Sequence, residues 1–328
     1  MTGSVTYRLY READLPGLLR LWEEETPWGS LTPEKWRDWY LRTPHGEACV
    51  VVATDDNGGE ALGQFVFTPS LVRVSGRTVQ GLRPSAPIVR RALLADVRAT
   101  DPGEHPIASL YRHAIGIVRE RGYGLVYMVP DPRWVRALQT APFLHIGSFP
   151  LWTLPVPLAV PLPLGPGYTA GPLVPSDRRV DGLWERAADL HRCLVVRDAQ
   201  GLRWKVGGSC YTVLGVERGG ELVGLVASRQ KGEHQWLICD LLAASAGDPL
   251  RATLAAAVNV AHSRALEPAA AEPVRKAALL VTPTLEPAAR DLGFAREDYD
   301  FPLVVHALDP RLPPEEVAPE HWYVSAND

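Results

Sequence analysis

The feature that most constrains this chain is an internal repeat. READLPGLLRLWEEE (11–25) returns as VPSDRRVDGLWERAADL (174–190), each with an acidic residue ahead of an apolar helical face that contains Leu-Trp. GEALGQFVFT (59–68) returns as GGELVGLVAS (219–228), and LADVRATDPGEHPIASLYRHAIGIVRERG (94–122) as ICDLLAASAGDPLRATLAAAVNVAHSRA (238–265). VYMVPDPRWVRALQTAPF (126–143) answers to LLVTPTLEPAARDLGF (279–294), and FPLWTLPVPL (149–158) to FPLVVHALDP (301–310). Order held over about 150 residues outweighs any single match, because chance similarities do not stay collinear. In a chain of 328 residues, two cores of ordinary size are expected. The expected layout is a first domain over 1–154, a linker over 155–167, a second domain over 168–310 and a tail over 311–328.

The stretch from Leu93 to Gly122 organises the first copy. Leu93–Val97 reads as a short buried strand, Asp101-Pro102-Gly103 as a turn, and Ile107, Leu110, Ala114, Ile115 and Val118 fall at helical spacing. Pro106 suits a first helical turn, and Gly122 suits a stop. A strand that turns tightly into a helix points backbone N–H groups and a positive dipole end outward, which suits a phosphate-bearing ligand. Any βα unit shares that outline, so the feature alone names no ligand.

Upstream, Tyr7–Tyr10 reads as a strand, and Asp14 as the N-cap of a helix with Leu15, Leu18, Leu19 and Trp22 on one face. Trp28, Trp36, Trp39 and Tyr40 then either pack a core or wall a pocket. Residues 47–54 and 61–68 pair across the DDNGG turn, and LVRVSGRTVQGL (71–82) forms a hairpin at Ser75-Gly76. Downstream come a strand over 123–129, a short helix in PDPRWVRALQTAP, and a strand over 143–155.

Composition removes several classes of function. With 34 basic and 38 acidic residues the net charge is −4, so there is no electrostatic case for nucleic acid or an anionic membrane as partner. Cys49, Cys193, Cys210 and Cys239 are far apart, which suggests neither a zinc site nor a disulfide framework and points to a reducing, cytoplasmic setting. No apolar leader opens the chain. The most apolar run, Leu151–Leu164, is cut by Pro155, Pro157, Pro161 and Pro163, so it reads as an extended linker rather than a spanning helix.

The repeated order of strand, helices, hairpin strands, strand-turn-helix, strand, short helix and final strand resembles the GNAT (GCN5-related) N-acetyltransferase superfamily. Both halves carry the resemblance, from about Thr6 to Leu308. The first half is similar to large bacterial members with W-x-x-x-Y…P-x-G before the second strand, here Trp36, Tyr40, Pro44 and Gly46. Mycothiol synthase shares the two-unit plan. The resemblance implies an α/β fold of the α+β type with a mixed sheet, as two tandem acyl-CoA N-acyltransferase domains. It also implies acetyl-CoA or another acyl-CoA as co-substrate, without a metal, in a cleft where the sheet splays.

Carried over by residue, Leu94, Ala95 and Val97 lie along the pantetheine arm, and Gly103, Glu104, His105, Ile107 and Ala108 lie by the pyrophosphate. His105 is a candidate cationic partner for phosphate. The family's usual turn, Arg/Gln-x-x-Gly-x-Gly/Ala, is here Asp-Pro-Gly-Glu-His-Pro-Ile: one glycine, no arginine, and about two residues short. The second half has Ala244–Leu250, again with one glycine, followed by Arg251. The family's tyrosine acid is absent, its positions falling near Leu138 and Ala289. The Asn that often starts that helix appears as Asp131 and Thr284.

Asp96, charged at an apolar strand end, is the candidate base among Glu24, Glu25, His45 and Asp96. The implied reaction is acyl transfer to a small-molecule amine by a monomer or homodimer with no nucleic-acid or membrane partner. The alternative is a non-catalytic GNAT-fold binding protein that has lost acyl-CoA. A third reading is an aminoacyl transferase that uses aminoacyl-tRNA, which would call for a basic surface. Trp322 and Tyr323 imply that the tail docks on the body.

Overall fold

The computed structural model describes residues 5–55, 60–93, 105–130, 144–267 and 273–328. The fold is mixed α/β. Its contacts form two units: residues 1–71, 78–146 and 302–314 make unit 1, and residues 72–77, 147–301 and 315–328 make unit 2.

In unit 1, β1 (Val5–Leu9) runs antiparallel to β2 (Cys49–Asp55), and β2 antiparallel to β3 (Ala61–Val74). β4 (Arg77–Val89) lies beside β3 and parallel to β5 (Leu125–Met128). The far edge of β5 takes Val304–Ala307, the end of β13 (Ala295–Ala307), in antiparallel register.

Strand β2 is buried on both sides, and period-2 alternation sorts its residues. Val50 and Val52 face α1 (Leu15–Glu25) and α2 (Pro33–Tyr40), packing with Leu15, Leu18, Leu21, Trp22, Trp36 and Tyr40. Cys49, Val51 and Ala53 face α3 (Pro106–Glu120), whose Ile107, Leu110, Tyr111, Ala114, Ile115 and Val118 recur at helical spacing. Each fully buried aliphatic side chain on that face contributes up to about 1.5–3 kcal/mol.

Local chemistry fixes the helix starts. Thr32 caps α2 by accepting from the Lys35 N–H at 3.3 Å, with Pro33 next. Asp14 precedes α1 as expected, but its carboxylate is held by Arg8 at 2.7 Å and by the Arg11 N–H at 2.7 Å rather than capping the helix.

Unit 2 repeats this strand order. β7 (Tyr168–Pro172), β9 (Thr212–Arg218), β10 (Glu221–Gln230) and β11 (Gln235–Ala243) run antiparallel in turn, β11 is parallel to β12 (Lys276–Leu280), and β12 is antiparallel to β6 (Leu144–Pro155). The last strand of each half of the sequence is therefore exchanged: residues 304–307 pair in unit 1 and residues 151–155 in unit 2.

Helices α4 (Arg179–Ala188) and α5 (Ala199–Val206) pack through Val180, Leu183, Leu202 and Val206 onto Leu222, Leu225, Ala227 and Leu242. α6 (Asp248–Ala265) and α7 (Glu286–Asp291) cover Val226, Ile238 and Leu279. The short β8 (Cys193–Val195) pairs with Val72–Val74 on one side and with β14 (Trp322–Tyr323) on the other.

The run after Pro155 is strapped down. α6 is buried almost all round, including Ala252, Leu254, Ala255, Ala256, Ala257 and Val258, and a helix of that kind needs cover on its outer side. Asn259 supplies an anchor by bonding both the N–H (2.7 Å) and the carbonyl (2.9 Å) of Leu162, while His262 accepts from the Leu158 N–H (3.1 Å).

Several expectations are corrected. The hairpin turn is at Ser75-Gly76, both in the left-handed region (φ 47 and 80), but its second strand continues past Leu82 to Val89. Leu93 sits in a helical turn over residues 91–93 rather than opening a strand. The strand parallel to β5 is β4, which ends at Val89, and α3 begins at Pro106; residues 94–97 of the expected strand lie outside the described residues. β8 and α5 had no sequence counterpart. The helix expected in PDPRWVRALQTAP lies outside the described residues.

Candidate donor cleft

In unit 1 the sheet opens between β4 and β5. Their parallel ladder has rungs at Gly81–Leu125 and Leu82–Val126, after which β4 continues from Arg83 to Val89. The sequence explains the opening, since Pro84 and Pro87 have no N–H to carry the ladder on. Between them Ala86 takes φ 47, a left-handed conformation that costs a non-glycine residue energy and marks a local break in the strand.

Salt bridges set α1 against the end of this strand. Arg90 pairs with Glu24 and, at 2.9 Å, with Glu60; Arg91 lies 3.4 Å from Glu25. Two of the candidate bases, Glu24 and Glu25, thus stand at the mouth of the opening. The aromatic segment divides. Trp36 and Tyr40 are core, whereas Trp28 (57% exposed) and Trp39 (38%) lie tilted against Trp22 at ring distances of 5.0 and 6.0 Å. His45 is half-buried in a turn after α2.

Of the expected donor-binding residues, Leu94, Ala95, Asp96, Val97, Gly103 and Glu104 lie outside the described residues. His105 is the N-cap of α3, and its Nδ1 accepts from the Ile107 N–H at 3.3 Å. Burial pushes its pKa below the ordinary histidine value, and an accepting Nδ1 is unprotonated. His105 is therefore a neutral cap and not the cationic phosphate partner expected. The side chains of Ile107 and Ala108 are buried in the core (2% and 0%). Pro106 has no N–H, Ile107 gives its own to His105, and Ser109 bonds the His105 carbonyl.

Unit 2 opens at the matching place. The β11–β12 ladder ends at Ile238–Leu279, and β11 bulges at Cys239, since Ala227 pairs with Asp240 but Ser228 with Ile238. Asp240 stands where the repeat places Asp96. It is 1% exposed and bonded to Arg197 at 2.7 Å, so in this copy the carboxylate is a structural ion-pair partner. Arg251, which follows the second-half turn, bonds Asp291 (2.7 Å) and the Pro163 carbonyl (3.1 Å). Thr284 lies 3.4 Å from His191 Nδ1, and Ala289 is buried.

Among the described residues no group of three or more His, Cys, Asp and Glu side chains could hold a metal, and no helix is long and apolar enough to cross a membrane. The cysteines are free, with Cys210 alone among them exposed.

No family model matches this sequence, nor does any curated protein. Solved structures do match. A GCN5-related N-acetyltransferase from Kribbella flavida superposes with a TM-score of 0.65 at 15% identity, covering 94% of this chain and 72% of the other. A GCN5-related N-acetyltransferase from Anabaena variabilis gives 0.67 at 12% identity, covering 93% and 73%. Eis1 from Mycobacterium abscessus gives 0.58 at 14% identity, covering 93% and 74%. The chain has the fold of the GCN5-related N-acetyltransferases over nearly its whole length.

Proposed function

We propose that the protein is an acyl-CoA-dependent N-acyltransferase that takes its donor in unit 1 and transfers an acetyl or related acyl group to a small-molecule amine. The observation that carries this is the opening between β4 and β5. Beyond Leu82 the strand offers an edge without a β5 rung, and it leads through residues 90–105 to the N-terminus of α3. An extended, amide-containing arm suits such an edge, and a pyrophosphate suits a helix N-terminus. The β4 edge from Arg83 to Val89, with Leu94, Ala95, Val97, Gly103 and Glu104 ahead of α3, supplies the proposed donor contacts.

In the transfer, the amine nitrogen bonds to the thioester carbonyl carbon. The amine proton passes to a base, the C–S bond breaks, and the sulfur leaves as the CoA thiolate, which takes a proton from the protonated base or from water to become the thiol. Holding the two reactants in one cleft supplies much of the rate. Asp96 is the proposed base, with Glu25 beside Arg91 as the competing carboxylate. Trp28, 57% exposed, offers its ring to a cationic acceptor before it loses its proton, whereas the Trp39 ring already carries the Lys35 ammonium at 5.0 Å.

The test is thiol release from acetyl-CoA across a panel of small amines, with Asp96→Asn and Glu25→Gln. Asp96→Asn should lower kcat and remove the low-pH limb of the rate profile, with little change in KM for acetyl-CoA. An unchanged rate in Asp96→Asn would pass the role to Glu25. Absence of turnover with every acyl-CoA would leave the binding-protein reading.

A further inference from the structure

In unit 2 the opened edge of β11 is filled by the chain itself. Following β14, residues 324–328 reach the part of β11 that lies beyond its last β12 rung. The Asn327 N–H donates to the Cys239 carbonyl (3.1 Å), and the Tyr323 hydroxyl donates to the Leu241 carbonyl (2.6 Å). These carbonyls belong to the bulge and the residues just after it, where β11 no longer has β12 alongside.

The segment is locked from behind. Asp328 pairs with Arg197 and, at 2.6 Å, with Lys205, while Arg197 also holds Asp240 of β11 at 2.7 Å. Tyr323 is clamped between His191 (rings 4.5 Å apart) and the Arg197 guanidinium (4.9 Å). What remains of the cleft among Leu241, Leu250, Thr284 and Tyr323 is about 10 Å³, room for roughly a single water.

We propose that residues 322–328 are the resident occupant of the unit 2 groove, taking the β11 carbonyls that an acyl-CoA arm would need and so excluding the donor from this unit. The inference rests on the reading of the opened strand edge as a donor groove, and its test does not require unit 1 to bind.

The test is hydrogen exchange with and without CoA on the full chain, together with native mass spectrometry of the CoA complex. In the wild type, residues 322–328 should exchange as slowly as β11, and CoA should add no protection over 238–250. Tyr323→Ala/Asp328→Ala releases the segment. Tyr323→Phe/Asn327→Pro removes the two bonds to β11 with little change in bulk, and serves if the first variant fails to fold. In a folded release variant, CoA-dependent protection should appear over 238–250, and the number of CoA bound should rise by one over the wild type.

CoA-dependent protection of 238–250 in the wild type, rapid exchange of 322–328 without ligand, or a released segment with no gain in CoA would each overturn the proposal. If wild-type unit 1 shows no CoA protection, the donor reading of that unit fails, while a gain in the release variants still upholds the resident segment.

Discussion

Arg197→Met strands two carboxylates in the interior of unit 2. The Arg197 and Asp328 side chains are fully buried and that of Asp240 is 1% exposed. An intact buried ion pair adds little net stability, but removal of one member leaves an uncompensated buried charge, at a cost of about 3–5 kcal/mol. Lys205 still reaches Asp328 at 2.6 Å and stands 4.0 Å from Asp240, so the lower end, about 3 kcal/mol, is expected. For a unit of this size that is roughly 6–12 °C in melting temperature.

The pH dependence has a definite sign. Burial acts to raise the Asp328 pKa, but the charges of Arg197 and Lys205 outweigh it and hold the carboxyl well below the ordinary carboxylate value. In the wild type this contribution is present above the ordinary value and fades only as pH falls through the lower folded value. Loss of Arg197 raises the folded value. The deficit of the variant should thus be largest near neutrality and shrink as acid protonates the stranded Asp328 carboxyl. Calorimetric melts of both proteins between pH 7 and 4, with exchange of residues 322–328 as the local probe, measure both features. A deficit below about 1 kcal/mol at pH 7, or one that grows in acid, would refute the reasoning.

Other consequences are simpler to check. A Cβ added at Gly224 would lie 1.9 Å from Thr253 Oγ1, so Gly224→Ala should cost about 1–3 kcal/mol in denaturant melts, with most of it recovered in Gly224→Ala/Thr253→Ala. His105→Ala removes the cap of α3 and should destabilise unit 1 by about 0.5–2 kcal/mol, while His105→Asn, which also accepts, keeps most of the stability. Burial, helped by Arg197 near His191 and Arg119 near His306, lowers both histidines from 6.5 to about 4. The unfolded chain therefore binds more protons below about 6.5, and melting temperature should fall as pH drops from there toward 4. His191→Gln and His306→Gln should each flatten that slope.

Helices α1 and α3 were legible because their apolar residues recur at 3.6-residue spacing, as in Leu15, Leu18 and Trp22 or Ile107, Leu110 and Ala114, whereas α2 was read only as an aromatic segment. The repeat was legible because collinear motifs survive where identity is low. β4 was misread because proline at 84 and 87 signals the end of a central strand; here it marks where β4 leaves β5 behind and continues alone. The exchange of last strands left no local signal, since FPLWTLPVPL and FPLVVHALDP suit the same slot in either unit. The unit 2 plug rests on Arg197, Asp240 and Asp328, which are far apart in sequence and meet only through the fold. The tail's aromatic pair was a usable clue that it docks, but not to where. His105 showed the opposite failure, because a histidine before a helix reads equally well as a phosphate partner and as a neutral cap, and only burial and its bond to Ile107 separate the two.

The most direct test of the central claim is a calorimetric titration of the full chain with acetyl-CoA. The account predicts saturable binding at one donor per chain, weakened in a variant with bulky substitutions at Gly103 and Glu104. No heat with acetyl-CoA or with longer acyl-CoAs would contradict it, and would mean that the fold has been kept while the donor has been lost.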